Sequence, residues 1–445
     1  MRGLPSTIAL VVIAAALVSY IYFVDAPAPG ETREKVFAVE AAAIEALTIT
    51  SAGETSVLRK VEGTWRMVEP VETEADEAEV TSVTGQLAGL EITRIVDAEA
   101  TDLAQYGLAS PKAAVGFTAG STTARLLLGD TTPTTTDMYA ALEGDARVFL
   151  VPAFLESTFA RTPFNLRDKR VLRVTRPEVD AVEIAGGGST IRLTRTGSDW
   201  QIAQPYPARG DYGAIEGLVT RLSSAPMASI VAEPSGALAS YGLDAPSLTV
   251  TLHAGSTSAV LLVGREADGR MFARDQSRPI VFTIDKTLAD DLAKPVEEYR
   301  TRELFAFRLF NAERVAVTRD GTRVEFERRA GEGEGAAETW HRADGTDTHT
   351  SLIEDLVSKL LNLRAESFAG TTASTGLAAP VFVVDVTFDE GKTERVSFGR
   401  SASEAFAARS DEPGAARLDT TAFEEALNAL TVATAPAPDA QGASR

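Results

Sequence analysis

The stretch Tyr106-Gly-Leu-Ala-Ser-Pro111 returns as Tyr241-Gly-Leu-Asp-Ala-Pro246 and, without the tyrosine, as Thr375-Gly-Leu-Ala-Ala-Pro380. The central glycines are 135 and 134 residues apart, at Gly107, Gly242 and Gly376. A glycine of this kind can end a short helical turn in the left-handed conformation, and the proline after it prevents the helix from resuming. Recurrence at one long period predicts a tandem repeat.

Two other markers recur with the same period. A tryptophan opens a Trp-x-x-x-x-Pro block in the first two copies and has a weaker third counterpart, at Trp65, Trp200 and Trp340. A strand pattern ends in a glycine that recurs every 135 residues, at Gly129, Gly264 and Gly399. Three markers with one period predict three copies of one unit.

Each unit is predicted to contain short strands and one substantial helix. In the second copy, the segments 181–184, 190–195 and 200–203 alternate and predict a β-meander. Apolar residues at helical spacing predict one helix per copy, at 78–90, 215–222 and 352–361. Four further strands and a short closing helix, at 153–160, complete the first copy.

The predicted fold class is therefore α+β. We expect an N-terminal transmembrane helix followed by three tandem strand-rich repeats, each with one main helix packed on an antiparallel sheet. The predicted boundaries are 1–30 for the anchor and linker, 31–170 for repeat 1, 171–303 for repeat 2, 304–432 for the diverged repeat 3 and 433–445 for a disordered tail.

The N-terminus carries a membrane-targeting segment. Residues 8–24 are free of charge and follow Arg2 and the amino terminus. The length suits both a short spanning helix and a long signal-peptide core. Tyr20, Tyr22 and Phe23 cluster at the far end, as residues at a membrane interface do. We favour an uncleaved single-pass anchor over a cleaved signal, with the N-terminus inside and the rest of the chain extracytoplasmic.

Composition excludes several classes of function. The 445 residues include 63 acidic and 43 basic side chains, so the net charge of −20 repels nucleic acid. The chain has no cysteine, which rules out disulfides, thiolate zinc sites and a cysteine nucleophile.

The junctions between copies, 166–172 and 299–305, are local exceptions to this acidic composition. We interpret them as arginine-rich segments that clasp adjacent units through salt bridges. Docking to a partner or to anionic lipid is the alternative.

The Trp-x-x-x-x-Pro block, the Tyr-Gly-Leu-x-x-Pro element, the strand ending in Leu-Gly and the Leu166-Arg-Asp-Lys169 junction resemble the family called domain of unknown function 4340. The resemblance covers residues 65–305 well, whereas the third copy lacks the tyrosine. It implies a protein anchored in a bacterial inner membrane, with its bulk in the periplasm. It also implies a gene neighbourhood that encodes ABC-type transporter components resembling those of gliding-motility systems. The family brings no catalytic residues.

Patterns that would indicate chemistry are weak. His341 and His349 flank a loop with Asp344 and Asp347, but the spacing fits no standard metal site, and His253 stands apart. The segment 391–393, Gly-Lys-Thr, lacks the upstream glycine of a phosphate loop and is interpreted as a hairpin turn. The repeated tryptophans and tyrosines are interpreted as core anchors, with stacking on a sugar or peptide as the alternative.

We predict no catalytic, cofactor-binding or metal-binding residue. The expected function is that of a non-enzymatic membrane-anchored accessory or scaffold module whose partners are the membrane and an ABC-type transporter. The alternatives are a glycan- or peptide-binding module and, less favoured, a hydrolase.

Overall fold

The computed structural model describes residues 34–174, 176–329, 338–346 and 348–435. The predicted anchor at 8–24, Asp347 and the chain after Ala435 lie outside these ranges. The chain divides into two compact units at the bond between Lys169 and Arg170. The first unit contains repeat 1, and the second contains repeats 2 and 3. Within the described ranges, no helix combines the length and the apolar character needed to cross a membrane.

Repeat 1 contains nine strands and three α-helices. In chain order they are β1 (Ala46–Ser51), β2 (Glu54–Val61), β3 (Thr64–Glu69), β4 (Thr73–Glu74), α1 (Glu77–Gly89), β5 (Arg94–Asp97), β6 (Ala113–Ala119), β7 (Thr122–Thr131), β8 (Asp137–Leu142), β9 (Val148–Pro152), α2 (Leu155–Phe159) and α3 (Pro163–Leu166).

The sheet of repeat 1 is antiparallel, with the order β4-β3-β2-β1-β6-β7-β8-β9-β5. The first four strands form one meander, and β6 returns to pair with β1 in the centre. The strands β4 and β5 lie at opposite edges, so the connection that contains α1 crosses from one edge of the sheet to the other. Val80, Val83 and Leu87 on this helix share one core with residues of β2, β3 and β9.

Repeat 2 has the same topology. Its elements are β10 (Ala181–Gly186), β11 (Ser189–Thr196), β12 (Asp199–Gln204), β13 (Ala208–Arg209), α4 (Tyr212–Ser224), β14 (Ser229–Ala232), β15 (Leu248–Ala254), β16 (Thr257–Ala267), β17 (Arg270–Asp275), β18 (Val281–Asp285) and α5 (Lys286–Leu292). The sheet order is β13-β12-β11-β10-β15-β16-β17-β18-β14.

Repeat 3 keeps the plan but has one edge strand fewer among the residues that the structure describes. Its elements are β19 (Ala312–Arg319), β20 (Thr322–Arg329), β21 (Thr339–Arg342), α6 (Thr350–Asn362), β22 (Ala365–Ala369), β23 (Phe382–Phe388), β24 (Lys392–Ser401), β25 (Glu404–Arg409), β26 (Ala415–Leu418) and α7 (Thr420–Thr434). The order β21-β20-β19-β23-β24-β25-β26-β22 has no counterpart of β4 or β13.

These elements confirm the predicted meander, the main helix of each repeat and the short closing helix. The chain is mostly β-sheet, with seven α-helices in the described ranges. The helix α7 ends at Thr434 and therefore runs two residues into the segment predicted as a tail.

The residue that caps the N-terminus of the main helix differs between the repeats. Asp76 accepts hydrogen bonds from the backbone N–H groups of Ala78 and Glu79, and Asp211 accepts one from Ala214. Such N-caps stabilise a helix by about 1 kcal/mol. In repeat 3, His349 occupies the equivalent position and makes no capping hydrogen bond through its side chain.

Two of the repeat markers contact each other. The turn glycines have left-handed φ values of 72°, 68° and 76°, at Gly107, Gly242 and Gly376. Each strand glycine lies against the carbonyl oxygen of the residue that precedes the turn glycine. A Cβ at Gly129 or Gly264 would overlap the carbonyl oxygen of Tyr106 or Tyr241, respectively. In repeat 3, a Cβ at Gly399 would lie 2.7 Å from the carbonyl oxygen of Thr375.

Replacing Gly264 by Ala is expected to lower the free energy of unfolding by about 2 kcal/mol, because the methyl group forces the turn away from the strand. Urea unfolding followed by tryptophan fluorescence measures the effect. Gly217→Ala is the matched control, because a Cβ there meets no atom within 4 Å. The control variant should be stabilised by about 0.5 kcal/mol, since alanine is the better helix former. Equal effects of the two changes would contradict the packing argument.

Candidate functional site

The junction between repeats 2 and 3 is held by backbone hydrogen bonds on both sides. On the repeat 2 side, Asp211 N donates to Tyr299 O (2.8 Å), and Thr301 N donates to Arg209 O (3.1 Å). On the repeat 3 side, Ala365 N donates to Arg302 O (2.8 Å). The segment therefore extends the edge at β13 and then pairs with the chain that follows α6.

The same hydrogen-bonding pattern recurs within each unit. In the first unit, Asp168 N donates to Glu74 O (2.9 Å) beside β4, and Val36 N donates to Leu90 O (2.9 Å) after α1. In the second unit, Val171 N donates to Ala225 O (2.9 Å) after α4. The junction geometry is thus a property of the repeat.

Five charged side chains, four of them buried and Arg209 partly buried, meet at the junction of repeats 2 and 3, and we call them the junction ion cluster. They are Arg209, Arg300, Arg409, Glu394 and Glu412. The carboxylate of Glu412 lies 2.7 Å from Arg209 Nε and 2.8 Å from Arg300 Nη2. Arg409 Nη1 lies 2.7 Å from Glu394 Oε2. The Glu394 and Glu412 side chains are only 2% and 5% exposed, and these arginines supply the opposite charges beside them.

Backbone groups satisfy further donors and acceptors of the cluster. Arg209 Nη2 donates to the carbonyl oxygens of Glu303 (2.6 Å) and Leu304 (3.2 Å). Arg409 Nη1 also donates to Leu304 O, at 2.8 Å. Glu394 accepts from the N–H groups of Ala306 and Phe307, at 3.0 and 3.2 Å. Buried charges are tolerated only when they are paired and hydrogen-bonded in this way.

The Arg300 guanidinium also stacks on an aromatic ring. It lies 4.2 Å from the ring centroid of Phe368 on β22. A guanidinium over an aromatic face is stabilised by a cation–π interaction of about 1 kcal/mol. Because Arg300 belongs to the junction and Phe368 to repeat 3, this contact adds to the attachment.

The electrostatics favour the ionised form of Glu412. Burial raises the pKa of its carboxyl group, but Arg209 and Arg300 outweigh burial and hold the pKa below its usual value. The pKa of Asp411 is also lowered, because the hydrogen bond and charge of Arg409 outweigh its burial. Both groups therefore stabilise the folded chain in their charged form, and protonation weakens the junction.

The sequence predicted part of this arrangement. The arginine-rich segment 299–305 was interpreted as a salt-bridged clasp, and Arg300 confirms this for the second junction. Glu412 and Glu394 were missed because they lie on repeat 3, about a hundred residues away from Arg300. No local pattern marks them among the many acidic residues of the chain.

A cleft of about 530 Å³ opens beside the cluster. The residues of repeat 2 that line it include Asp199, Asp211 and Tyr212, and Arg209 reaches it from the cluster. The junction and repeat 3 contribute Arg302, Glu303, Arg308 and Arg364. The lining is therefore strongly polar.

The repeated aromatic residues have two different environments. The tryptophans are core residues, with exposed fractions of 5%, 2% and 2% at Trp65, Trp200 and Trp340. The tyrosines Tyr106 and Tyr241 are only partly buried, so their interpretation as core anchors needs correction. Tyr106 packs against Tyr139 in a small second cluster on the sheet, which is built around Leu108, Ala141 and Val148.

The other residues considered for chemistry are dispersed. His253 lies on β15 and His341 on β21, where its Nε2 is 2.8 Å from Thr339 Oγ1. His349 precedes α6. Nowhere in the described part of the chain do three His, Asp or Glu side chains assemble into a possible metal site. Gly391, with a φ of 101°, lies in the turn between β23 and β24, which confirms the predicted hairpin.

Replacing Glu412 by Gln is expected to lower the free energy of unfolding by about 3 kcal/mol at neutral pH, because it breaks a buried ion pair. A lowered folded-state pKa gives stability that is present above the unfolded pKa of about 4.3 and is lost as the pH falls through the folded value. The difference between the wild type and the variant should therefore shrink on acidification.

Urea unfolding between about pH 7 and pH 3 measures this dependence. Glu425→Gln is the control, since Glu425 forms an exposed pair with Lys359 and has a side chain that is 53% exposed. It should change the free energy of unfolding by less than about 1 kcal/mol. A Glu412→Gln effect as small as the control, or independent of pH, would contradict the role assigned to the cluster.

Comparison with solved structures gives only remote similarity. A DNA polymerase sliding clamp from Pseudomonas aeruginosa is 9% identical, over 86% of this chain and 94% of that chain, with a TM-score of 0.16. A second clamp from the same organism, bound to griselimycin, is 8% identical over 87% and 93%, with a TM-score of 0.13. These values are too low to support an argument about fold or function. No curated protein matches the chain.

A family model, "Domain of unknown function (DUF4340)", matches residues 65–201 and 200–380. The first match begins at Trp65 on β3, and the two matches meet at Trp200 on β12. Each matched segment therefore begins inside a sheet and ends inside the next one. Together the matches run from residue 65 to residue 380 of 445, which is well over half of the sequence. The chain belongs to the DUF4340 family.

Proposed function

We propose that this chain is a non-enzymatic accessory or scaffold protein, anchored in the bacterial inner membrane by residues 8–24, with its repeats in the periplasm. There it supports or regulates a membrane complex, and the family resemblance points to an ABC-type transporter. The apolar N-terminal segment and the aromatic residues at its end support the anchor.

The observation that carries the scaffold proposal is the junction ion cluster. A scaffold must present its binding surfaces in a defined arrangement. Between repeats 2 and 3, rotation would separate Glu412 from Arg209 and Arg300 and leave buried charges without partners. The two repeats therefore offer a partner one preorganised surface, which lowers the entropic cost of binding.

The burial of the tryptophans weakens one alternative. A glycan-binding module needs exposed aromatic faces on which sugar rings can stack. Trp200 is 2% exposed, and its indole Nε1 donates to Glu216 Oε1 at 2.9 Å. The side chain is thus committed to the core of repeat 2.

The proposed topology predicts that protease added to spheroplasts digests the repeats, whereas an N-terminal epitope tag stays protected. Alkaline carbonate should leave the intact chain in the membrane fraction. The control is a chain with two aspartates inside residues 8–24, which should leave the membrane fraction because buried charges are costly in the bilayer. Protection of the repeats from external protease would contradict the topology.

The proposed partnership predicts that a permease or an ATPase is enriched after crosslinking in native membranes and affinity purification of the tagged chain. The matched control is Glu412→Ala, which loosens the arrangement of repeats 2 and 3 and should reduce the enrichment. Equal recovery with a tag-only membrane protein, under conditions that capture known complexes, would exclude the accessory role.

A further inference from the structure

Three arginines, Arg302, Arg308 and Arg364, line one wall of the polar cleft, and two of them share a single carboxylate. Glu303 Oε2 lies 2.8 Å from Arg308 Nη2, and Glu303 Oε1 lies 3.0 Å from Arg364 Nη2. Arg308 also donates from Nη1 to the carbonyl oxygens of Phe307 (3.0 Å) and Ala306 (3.4 Å). The Arg308 and Arg364 side chains are 48% and 64% exposed, so their remaining N–H groups are accessible to a ligand. One carboxylate cannot satisfy two guanidinium groups, each of which carries five donors.

Arg302 adds a third guanidinium to the same wall. Its backbone carbonyl accepts from Ala365 N, which fixes its position beside β22. Its side chain is exposed and makes no hydrogen bond or ion pair with the residues that the structure describes. This wall therefore has three positive charges against one negative charge, in a chain with a net charge of −20.

The charged residues of the opposite wall have local partners. Asp211 Oδ1 accepts from Ala214 N (2.8 Å) and caps α4. Arg209 is paired with Glu412 in the junction ion cluster. Asp199 Oδ1 accepts from Ser198 Oγ at 3.1 Å. The unsatisfied donors of the cleft thus lie on the wall formed by the junction and repeat 3.

We infer that this cleft binds a ligand that carries an oxyanion, either a carboxylate or a phosphate, through Arg302, Arg308 and Arg364. Planar guanidinium groups recognise both of these oxyanions through paired charge-assisted hydrogen bonds. The volume of about 530 Å³ suits a small-molecule ligand or the end of a peptide. Tyr212, which is 60% exposed, provides an aromatic surface for the remainder of the ligand.

In this arrangement, Glu303 occupies the position of the ligand's oxyanion in the free chain. Its carboxylate accepts from Nη2 of Arg308 and Nη2 of Arg364 and competes with an incoming anion for these donors. The residue's structural contacts are made by its backbone: Glu303 N donates to Thr301 Oγ1, and Glu303 O accepts from Arg209. Replacement of the side chain by an amide therefore leaves those contacts in place.

Isothermal titration of the full-length chain in detergent tests the site, with inorganic phosphate and an N-acetylated dipeptide as separate probes. Arg302→Ala combined with Arg364→Ala should weaken binding by about tenfold or more, since each charge-assisted hydrogen bond contributes about 1.5–3 kcal/mol. Glu303→Gln should strengthen binding at least about threefold, because it removes the competing charge and frees donors. Binding of one probe alone identifies which oxyanion the cleft accepts.

The control is Arg221→Ala, which removes an exposed arginine of repeat 2 that pairs with Asp291 outside the cleft. It should leave the affinity unchanged. Thermal unfolding confirms that each variant is folded. The inference is overturned if neither probe binds saturably, if Glu303→Gln weakens binding, or if the arginine variants match the control. None of these outcomes depends on a membrane partner, so they leave the scaffold proposal untouched.

Discussion

The carboxylate of Glu412 lies between two guanidinium groups, and the relation of repeat 3 to repeat 2 depends on it. Its partners Arg209 and Arg300 come from β13 and the junction, whereas Glu412 itself lies in the turn between β25 and β26. All three segments must fold before the charges can be paired. The fold of each repeat thus supports the attachment of the other. This mutual dependence explains physically why the two repeats form one compact unit.

The part of the fold that follows local rules could be predicted from the sequence. The helix of repeat 1 was predicted from Val80, Val83 and Leu87, whose spacing depends only on the helical period. The left-handed turn at Gly242 was predicted from the glycine and the proline that follows it. These features are encoded within a few consecutive residues, so one sequence is sufficient to recognise them.

The remaining features depend on contacts between distant residues. Gly264 was recognised in the sequence as a repeat marker. The reason that a glycine is needed there is the carbonyl oxygen of Tyr241, which the fold places against it. The partners of Glu412 lie 203 and 112 residues away in sequence. Tyr106 packs in a second, smaller cluster on the sheet, which the repeat pattern does not reveal. The candidate site therefore required the structure, although Arg300 lies in the arginine-rich segment 299–305 that was noticed in the sequence.

The matched family segments and the folded sheets are out of phase. A segment from one tryptophan to the next contains most of one sheet, lacks its first two strands and carries the first strands of the following sheet. Such a segment, copied alone, contains neither sheet whole. A tandem duplication with those endpoints still restores every internal sheet, because each copy supplies what its neighbour lacks. Gene duplication can therefore add a repeat even when its breakpoints fall within a sheet. A single repeat expressed alone contains one whole sheet only if the chain is cut at the junctions.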